Sequence, residues 1–288
     1  MYDNPCTIII PPPVRMSQDT GKFRTNTKDQ YYTKESVAKT LVLLTLQTLP
    51  ETAQYQWIEP SAGTGAFLKA LPSGTDALAI DLDPKAPGIV KGDFLLWEPT
   101  VEKKRIVFGN PPFGRQGSLA KKFIQHASSF ADVISFILPR SFVKPSMSRA
   151  FPRMFHCLIS QELEAHSFEV NGREYDVPCV FQIWQKQATH RPLEEAVEEE
   201  GFSYVKQKES FDFAIKRVGG LAGKAVVGKA EDFNPQYHYY ICLDKKNNIS
   251  TIVKALNEHI FPSNTTGPRS LSKSEINEVL NPLVASCS

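Results

Sequence analysis

The sequence contains few cysteines, and they are not clustered. Five cysteines are spread over 288 residues, from Cys6 to Cys287, without a CxxC pair or a nearby group of histidines. Such spacing argues against a zinc site and against a disulfide framework, and it favours a reducing compartment. We therefore predict a protein that holds no metal.

Long apolar runs are also missing. No window of the sequence approaches the roughly 18 consecutive apolar residues of a membrane-spanning helix. The short run Ile8–Ile10 leads directly into Pro11–Pro13, which is unlike the apolar segment of a secretion signal. We expect a protein of the cytoplasm, or of the nucleoid or nucleus, that makes no membrane contact.

The chain has little excess charge of either sign. Its 33 lysines and arginines nearly balance 31 aspartates and glutamates, which leaves a formal net charge of +2. From Gly201 onward, 11 basic residues stand against 8 acidic ones, so this part is slightly basic. The excess is compatible with a nucleic-acid partner, but an ordinary solvated surface explains it equally well.

What the sequence does contain is the pattern of an α/β protein. Residues 1–28 are polar and rich in proline, which predicts an N-terminal arm. The first helix is predicted to follow Thr33, which can cap it, and to end at Pro50. Four short apolar runs then predict buried parallel strands with crossover helices. These runs are Tyr55–Glu59, Ala77–Asp81, Arg105–Phe108 and Val133–Leu138.

The region that follows is predicted to complete this sheet. Phe155–Ala165 and Val177–Lys186 indicate an antiparallel pair of strands, and the turn residues Asn171-Gly172 lie between them. The fold predicted for residues 29–190 is therefore a doubly wound α/β sheet with a reversed final strand.

A small C-terminal α+β domain is predicted for residues 201–288. The glutamate-rich segment Arg191–Gly201 indicates a boundary before it. Ser272–Glu275 has the form of a capping box, which predicts the start of the last helix. The predicted strands are Phe211–Val218, Ala225–Val227 and Tyr237–Leu243, and the predicted helices are Ile249–Ile260 and Lys273–Leu280.

A glycine-rich turn follows the first predicted strand. Glu59–Phe67 reads EPSAGTGAF, in which Gly63 and Gly65 let the backbone pass close to a ligand at the start of a helix. Leu68 stands where a dinucleotide-binding GxGxxG would have its third glycine, and the GKS/T of a P-loop is absent. By itself the turn is weak evidence for a nucleotide site.

Two acids that follow in order make the site more specific. Asp81 ends a predicted strand about twenty residues after the turn, where a carboxylate can bind the two hydroxyls of a ribose. Asp93 can accept a hydrogen bond from an adenine amino group while Phe94 packs on the base. Together with the turn, these acids predict a ligand that contains adenosine.

The most specific segment is NPPF at residues 110–113. Its two prolines stiffen the backbone and remove donors, so that the Asn110 side-chain oxygen and the Pro111 carbonyl remain as acceptors aimed at one point. Such a point suits an NH₂ group, whose nitrogen lone pair is then directed at an electrophilic methyl. Phe113 offers a stacking face for a planar substrate, and Arg115 is a candidate for substrate contact.

The order and spacing of these segments resemble the class I S-adenosylmethionine-dependent N6-adenine methyltransferases, especially the TaqI-type gamma class. The resemblance runs from Asp29 to Lys186. It includes DQYYT before the glycine turn, EPSAGTGAF, GDFLLWEP, NPPF, and LPRSF after the strand Val133–Leu138. It implies S-adenosylmethionine as the cofactor and a Rossmann-like methyltransferase sheet.

The same resemblance assigns the site residues. The implied catalytic residues are Asn110, Pro111, Pro112 and Phe113, and Phe168 is the implied second aromatic against a flipped base. The implied cofactor-binding residues are Tyr32, Thr33, Glu59, Pro60, Ser61, Gly63, Gly65, Asp81, Leu82, Asp93, Phe94 and Asn110. The implied substrate is adenine in nucleic acid, with DNA favoured over RNA.

Several alternatives stay open. Phe replaces the commoner Tyr at position 113, and NPPF also occurs in RNA enzymes. Methylation of RNA adenine, of a protein glutamine or of cytosine N4 therefore remains an alternative, as does a non-catalytic cofactor-binding subunit. In the C-terminal part, Lys216 and Arg217 begin the segment KRVGGLAGK and are candidates for phosphate contact, although a structural hairpin explains the segment equally well.

Overall fold

The computed structural model describes residues 31–287 except positions 50, 171, 193–194, 247, 263–264 and 266–267. The predicted arm, residues 1–28, lies outside the described residues, as do Pro50 and Asn171.

The described residues form three β-sheets and six α-helices. The strands are β1 Tyr32–Thr33, β2 Gln56–Glu59, β3 Ala77–Asp81, β4 Ile89–Lys91, β5 Arg105–Gly109, β6 Val133–Pro139, β7 Phe155–Glu162, β8 Phe168–Val170, β9 Arg173–Tyr175, β10 Cys179–Lys186, β11 Phe202–Val205, β12 Phe213–Lys216, β13 Ala225–Val226 and β14 His238–Leu243. The helices are α1 Glu35–Thr48, α2 Ala66–Ala70, α3 Ser118–Ala127, α4 Pro145–Ser148, α5 Ile249–Glu258 and α6 Lys273–Cys287.

The main sheet has seven strands in the order β4-β3-β2-β5-β6-β10-β7. The first five are parallel to one another, and β10 is antiparallel to both of its neighbours, β6 and β7. The fold is therefore a doubly wound, Rossmann-like α/β sheet with a reversed final strand, as predicted. The chain order changes direction between β2 and β5, and ligands of such sheets bind beside this point, at the carboxyl ends of the strands.

Both faces of the main sheet are covered. In β5, Ile106 and Phe108 belong to one buried cluster and Val107 to another, as expected when successive side chains point to opposite faces. Residues of α1 lie in the first cluster and residues of α3 in the second. This burial explains why the parallel strands are continuous apolar runs and could be predicted from them.

Some predicted details are wrong. Thr33 does not cap α1, because it lies in β1 opposite Phe168 of β8; the N-cap is Lys34, without a side-chain cap. The short strands β1, β4, β8, β9 and β11 were not predicted from the sequence. In the described chain, β8 and β9 form a small separate sheet with β1, in the order β1-β8-β9.

Residues 201–287 contain the third sheet, the C-terminal sheet, with its own buried cluster. Its four antiparallel strands lie in the order β11-β14-β12-β13 and pack with α5 and α6. The predicted capping box is confirmed, because the Ser272 N–H donates to Glu275 Oε2 at 2.9 Å and the Glu275 N–H to Ser272 Oγ at 3.3 Å. Lys144, just before α4, forms an ion pair with Glu275 of α6, with Lys144 Nζ 3.0 Å from Glu275 Oε2. The proposed boundary at residues 191–201 stays a prediction.

Candidate active site

A cavity of about 200 Å³ lies at the carboxyl ends of the central strands. It is bounded by the ends of β2, β3 and β5, by β1, and by the turns that follow β2, β3, β4 and β5. The predicted site residues that line it are Tyr32, Thr33, Glu59, Pro60, Ser61, Gly63, Asp81, Leu82, Asp93, Phe94, Asn110, Pro111, Pro112 and Phe113. Tyr31 and Phe123 also line it and were not predicted from the sequence.

The glycine turn brings the backbone close to the Tyr32 ring. Gly63 has φ of 50°, and a Cβ there would lie 2.9 Å from Tyr32 Cε1. Only glycine therefore combines this positive φ with this contact. Gly65, with φ of 75°, is the N-cap of α2 and shapes the turn, but it does not line the cavity.

Two of the predicted acids are fixed by backbone N–H groups. Asp81 accepts from the Gly63 N–H through Oδ2 and from the Asp83 N–H through Oδ1, both at 2.7 Å. Asp93 Oδ1 accepts from the Leu95 N–H at 2.9 Å. A carboxylate oxygen can accept more than one hydrogen bond, so both acids retain capacity for a ligand in the cavity. Their orientation is set before any ligand binds.

Glu59 is a buried acid at the end of β2. Only 2% of it is exposed, and its Oε2 accepts from the Leu68 N–H at 3.0 Å. Burial raises the pKa of Glu59 to about 8; the Leu68 hydrogen bond opposes this increase, and the negative charge of Asp81 adds to it. Near neutral pH this carboxyl is therefore mostly protonated, and the cavity carries less negative charge than the four acids that line it would suggest.

Asn110 is held by two hydrogen bonds that leave its side-chain oxygen free. Its Nδ2 donates to the Tyr31 carbonyl at 3.0 Å, and its own carbonyl accepts from Ser61 Oγ at 2.9 Å. Asn110 Oδ1 is buried and has no hydrogen-bond partner among the described residues. A buried acceptor without a partner is costly unless a ligand supplies the donor. The Asn110 amide thus presents a fixed acceptor for an N–H or O–H group.

Phe113 lines the same cavity and is fixed through its backbone. Its side chain is 7% exposed, and its carbonyl accepts from the N–H groups of Leu119 and Ala120 at 3.1 and 3.2 Å. These donors belong to the first turn of α3. The ring therefore lies at a defined place beside Asn110, where an aromatic face can pack on a planar group.

Phe168 and Arg115 do not line the cavity. Phe168 is 1% exposed and packs in the buried cluster that also contains Phe113. This placement gives no support for a stacking role, because the ring is already covered by protein. Arg115 is exposed and lies two residues after Phe113, the last residue of the cavity-lining segment.

Lys216 is the last residue of β12 in the C-terminal sheet, and Arg217 follows it. The Lys216 N–H donates to the Lys224 carbonyl and the Gly223 N–H to the Lys216 carbonyl, at 2.8 and 2.7 Å. The Arg217 guanidinium lies 4.8 Å from the centre of the Tyr239 ring. The segment is thus a structural hairpin, and a phosphate-binding role for it stays a prediction.

Two other features concern metals and membranes. Within the described ranges, no group of three or more His, Cys, Asp and Glu side chains is arranged to hold a metal ion. Among the described helices, none is both long and apolar enough to cross a membrane.

Solved structures resemble part of the chain, whereas no protein-family profile and no curated protein sequence matches it. A proposed RNA methyltransferase of Pyrococcus horikoshii aligns at 20% identity and a TM-score of 0.44, over 55% of this chain and 87% of that one. A proposed class I S-adenosylmethionine-dependent methyltransferase of Listeria monocytogenes aligns at 14% identity and a TM-score of 0.44, over 59% of this chain and 66% of that one. An S-adenosylmethionine-dependent methyltransferase of Clostridium acetobutylicum aligns at 7% identity and a TM-score of 0.37, over 54% of this chain and 93% of that one. Substrate and chemistry must therefore be inferred from the cavity itself.

Proposed function

We propose that this chain transfers a methyl group from S-adenosylmethionine to the N6 amino group of adenine in nucleic acid, with DNA as the first substrate to test. The observation that carries this proposal is the free Oδ1 of Asn110. It is a buried acceptor, oriented by Tyr31, in a cavity that also presents an aromatic ring and several acids. This combination suits a planar ring with an exocyclic amino group beside an adenosine-containing ligand.

The residues of the cavity fit the proposed cofactor. Asp81 would bind the ribose hydroxyls, and Asp93 would accept from the adenine amino group. Leu82, which is 67% exposed, would pack on the base in place of the predicted Phe94, because the Phe94 ring is 2% exposed and stacks on Phe123. Thr33 supplies a second unsatisfied polar atom, because its buried Oγ1 has no partner among the described residues. When bound, the cofactor supplies an electrophilic methyl on a positively charged sulfur.

The chain would act mainly by positioning the substrate amine. Asn110 Oδ1 and the Pro111 carbonyl would accept the two amino hydrogens, which turns the nitrogen lone pair towards the methyl. Phe113 would hold the base by stacking. An amino group of adenine needs no base before it attacks. Its proton would pass to solvent as the new N–C bond forms and the bond between the methyl and the sulfonium breaks, which would leave a neutral thioether. Orientation and electrostatic stabilisation would therefore account for the rate enhancement.

The replacement Asn110→Ala tests this mechanism. The variant should bind S-adenosylmethionine nearly as well as the parent protein, while methylation should fall by about a hundredfold or more, the usual loss for one preorganised polar contact. Cofactor affinity is measured by calorimetry and methylation by transfer of labelled methyl. Near-normal turnover of Asn110→Ala would contradict the mechanism.

The identity of the product tests the substrate. Matched duplex DNA, single-stranded DNA and RNA of one sequence are incubated with the full chain and then digested to nucleosides. The expected product is N6-methyldeoxyadenosine. Single-stranded or mismatched sites should react faster than paired ones, because removing adenine from a duplex costs a few kcal/mol. Product on RNA alone would overturn the DNA assignment, and methylation only of a glutamine-bearing protein would overturn the nucleic-acid assignment.

A further inference from the structure

Two exposed residues without partners follow the cavity-lining segment. Arg115 and Gln116 form the tip of a turn between Gly114 and Gly117. Both are exposed, and neither side chain makes a hydrogen bond, ion pair or ring contact with the described part of the chain. These two long polar side chains lie two and three residues after Phe113. No described contact shows either of them stabilising the fold.

The backbone of this turn is fixed at both ends. Gly114 has φ of 67°, and a Cβ there would lie 2.9 Å from the Leu119 backbone nitrogen. Gly117 has φ of 71°, and a Cβ there would lie 3.1 Å from the Phe142 ring and 3.3 Å from Met147. No side chain fits at either glycine without a shift of its neighbours. The tip is consequently displayed in one position relative to Phe113.

Gln116 itself has a strained backbone. Its φ and ψ are 54° and 31°, in the left-handed region that residues with a side chain rarely adopt. Glycine would take this conformation without strain, as it does at position 117, where φ and ψ are 71° and 17°. Strained residues persist where the surrounding structure enforces them, and they are concentrated at functional sites. A glutamine here, rather than a third glycine, points to a role for its carboxamide.

We infer, on the basis of the proposed function, that this tip reads the nucleic acid next to the target adenine. The Gln116 carboxamide carries one acceptor and one donor group, the pair that can bind a base edge through two hydrogen bonds. Arg115 binds the phosphate between that nucleotide and the target, since a guanidinium pairs with phosphate oxygens. Gln116 is thus a specificity-determining residue, and Arg115 contributes affinity irrespective of sequence.

The test uses oligonucleotides with a single adenine flanked by every combination of neighbouring bases. Methylation of the pooled substrates gives the relative kcat/KM for each context. The wild-type chain should prefer one neighbouring base by roughly 5- to 150-fold, the range for one bidentate side-chain contact to a base. In Gln116→Gly, the preference for one neighbouring base should fall below about 5-fold. Arg115→Ala should lower kcat/KM in all contexts alike. It should also reduce the salt dependence of nucleic-acid binding, measured as the slope of the logarithm of the binding constant against the logarithm of the salt concentration, by about one unit.

Matched controls separate side-chain contact from folding. Gln116→Gly should unfold at a temperature close to that of the wild type, because glycine relieves the positive φ. Gln125→Ala removes an exposed glutamine of α3 and should leave the preference unchanged. Lys104→Ala removes a charge just before β5, at the opposite edge of the sheet, and should leave the salt dependence unchanged.

Each result is decisive. If the wild type methylates adenine but shows no preference for a neighbouring base, or if Gln116→Gly retains that preference, the inference is overturned and the proposed function stands. If Arg115→Ala lowers kcat/KM no more than Lys104→Ala does, the phosphate contact is overturned. If the wild type methylates none of the DNA or RNA oligonucleotides, the proposed function is wrong, and so is the inference that Arg115 and Gln116 contact the nucleic acid.

Discussion

Replacing the buried acid Glu59 by glutamine should make the protein more stable at high pH. Glutamine has nearly the same shape, keeps an oxygen that can accept from the Leu68 N–H, and carries no charge at any pH. In the wild type, the pKa of Glu59 is raised from 4.5 to about 8, mainly by burial. The folded protein therefore binds a proton more tightly at this site than the unfolded chain does.

The sign and size of the effect follow from this difference. Below pH 4.5 Glu59 is protonated in both the folded and the unfolded protein, so it does not lower the free energy of unfolding. Between pH 4.5 and pH 8 the unfolded chain loses the proton first, so the free energy of unfolding falls by up to about 1.4 kcal/mol per pH unit. Over the whole interval the loss is about 5 kcal/mol. Glu59→Gln should remove it.

Urea unfolding of the two proteins without cofactor measures this loss. The free energies of unfolding should nearly coincide at pH 4.5 and then diverge in favour of Glu59→Gln up to about pH 8. Comparison with the wild type cancels the other titrating groups. Glu102→Gln, an exposed substitution of the same kind, should show no such divergence. Parallel curves for Glu59→Gln and wild type would refute the assignment of a raised pKa to this carboxyl.

Three further substitutions test the cavity. Asp81→Ala should weaken S-adenosylmethionine binding by about 1.5 to 3 kcal/mol in calorimetry, the value of a charge-assisted hydrogen bond, and unchanged affinity would remove Asp81 from the site. Gly63→Ala should lower Tm and abolish cofactor binding, since its Cβ meets Tyr32; Gly74→Ala, with φ of 82° but open space around it, should lower Tm less and leave binding intact. Phe113→Leu should raise KM for the nucleic acid at unchanged cofactor affinity, and equal KM values would argue against stacking.

The main sheet could be predicted from the sequence because its central strands are buried on both faces. β3 matches its predicted bounds, and β2, β5 and β6 match within one residue at each end. The strand β4 could not be predicted in this way, since two of its three residues are exposed and it pairs only with β3. The pairing of β1 with β8 joins segments about 135 residues apart, and hydrophobic periodicity carries no information about such contacts.

The site was predictable to the extent that it follows the ends of strands. The glycines, Asp81, Asp93 and the NPPF segment lie at or just after the ends of β2, β3, β4 and β5, so that chain order alone brings them to one edge of the sheet. The orientation of Asn110 was not predictable, because it depends on the backbone carbonyl of Tyr31. Phe168 shows the same limit, since its burial follows from the pairing of β8 with β1.

The Asp81 end and the Asn110 end of the cavity are joined by a closed set of contacts. Asn110 donates to the Tyr31 carbonyl, the Tyr32 ring lies against Gly63, and Ser61, in the same turn as Gly63, donates back to the Asn110 carbonyl. Asp81 fixes this turn through the Gly63 N–H. A ligand that binds Asp81 therefore acts on the loop that holds Asn110. Such coupling should make the contributions of these residues non-additive, and it holds the free acceptor of Asn110 in place before any ligand binds.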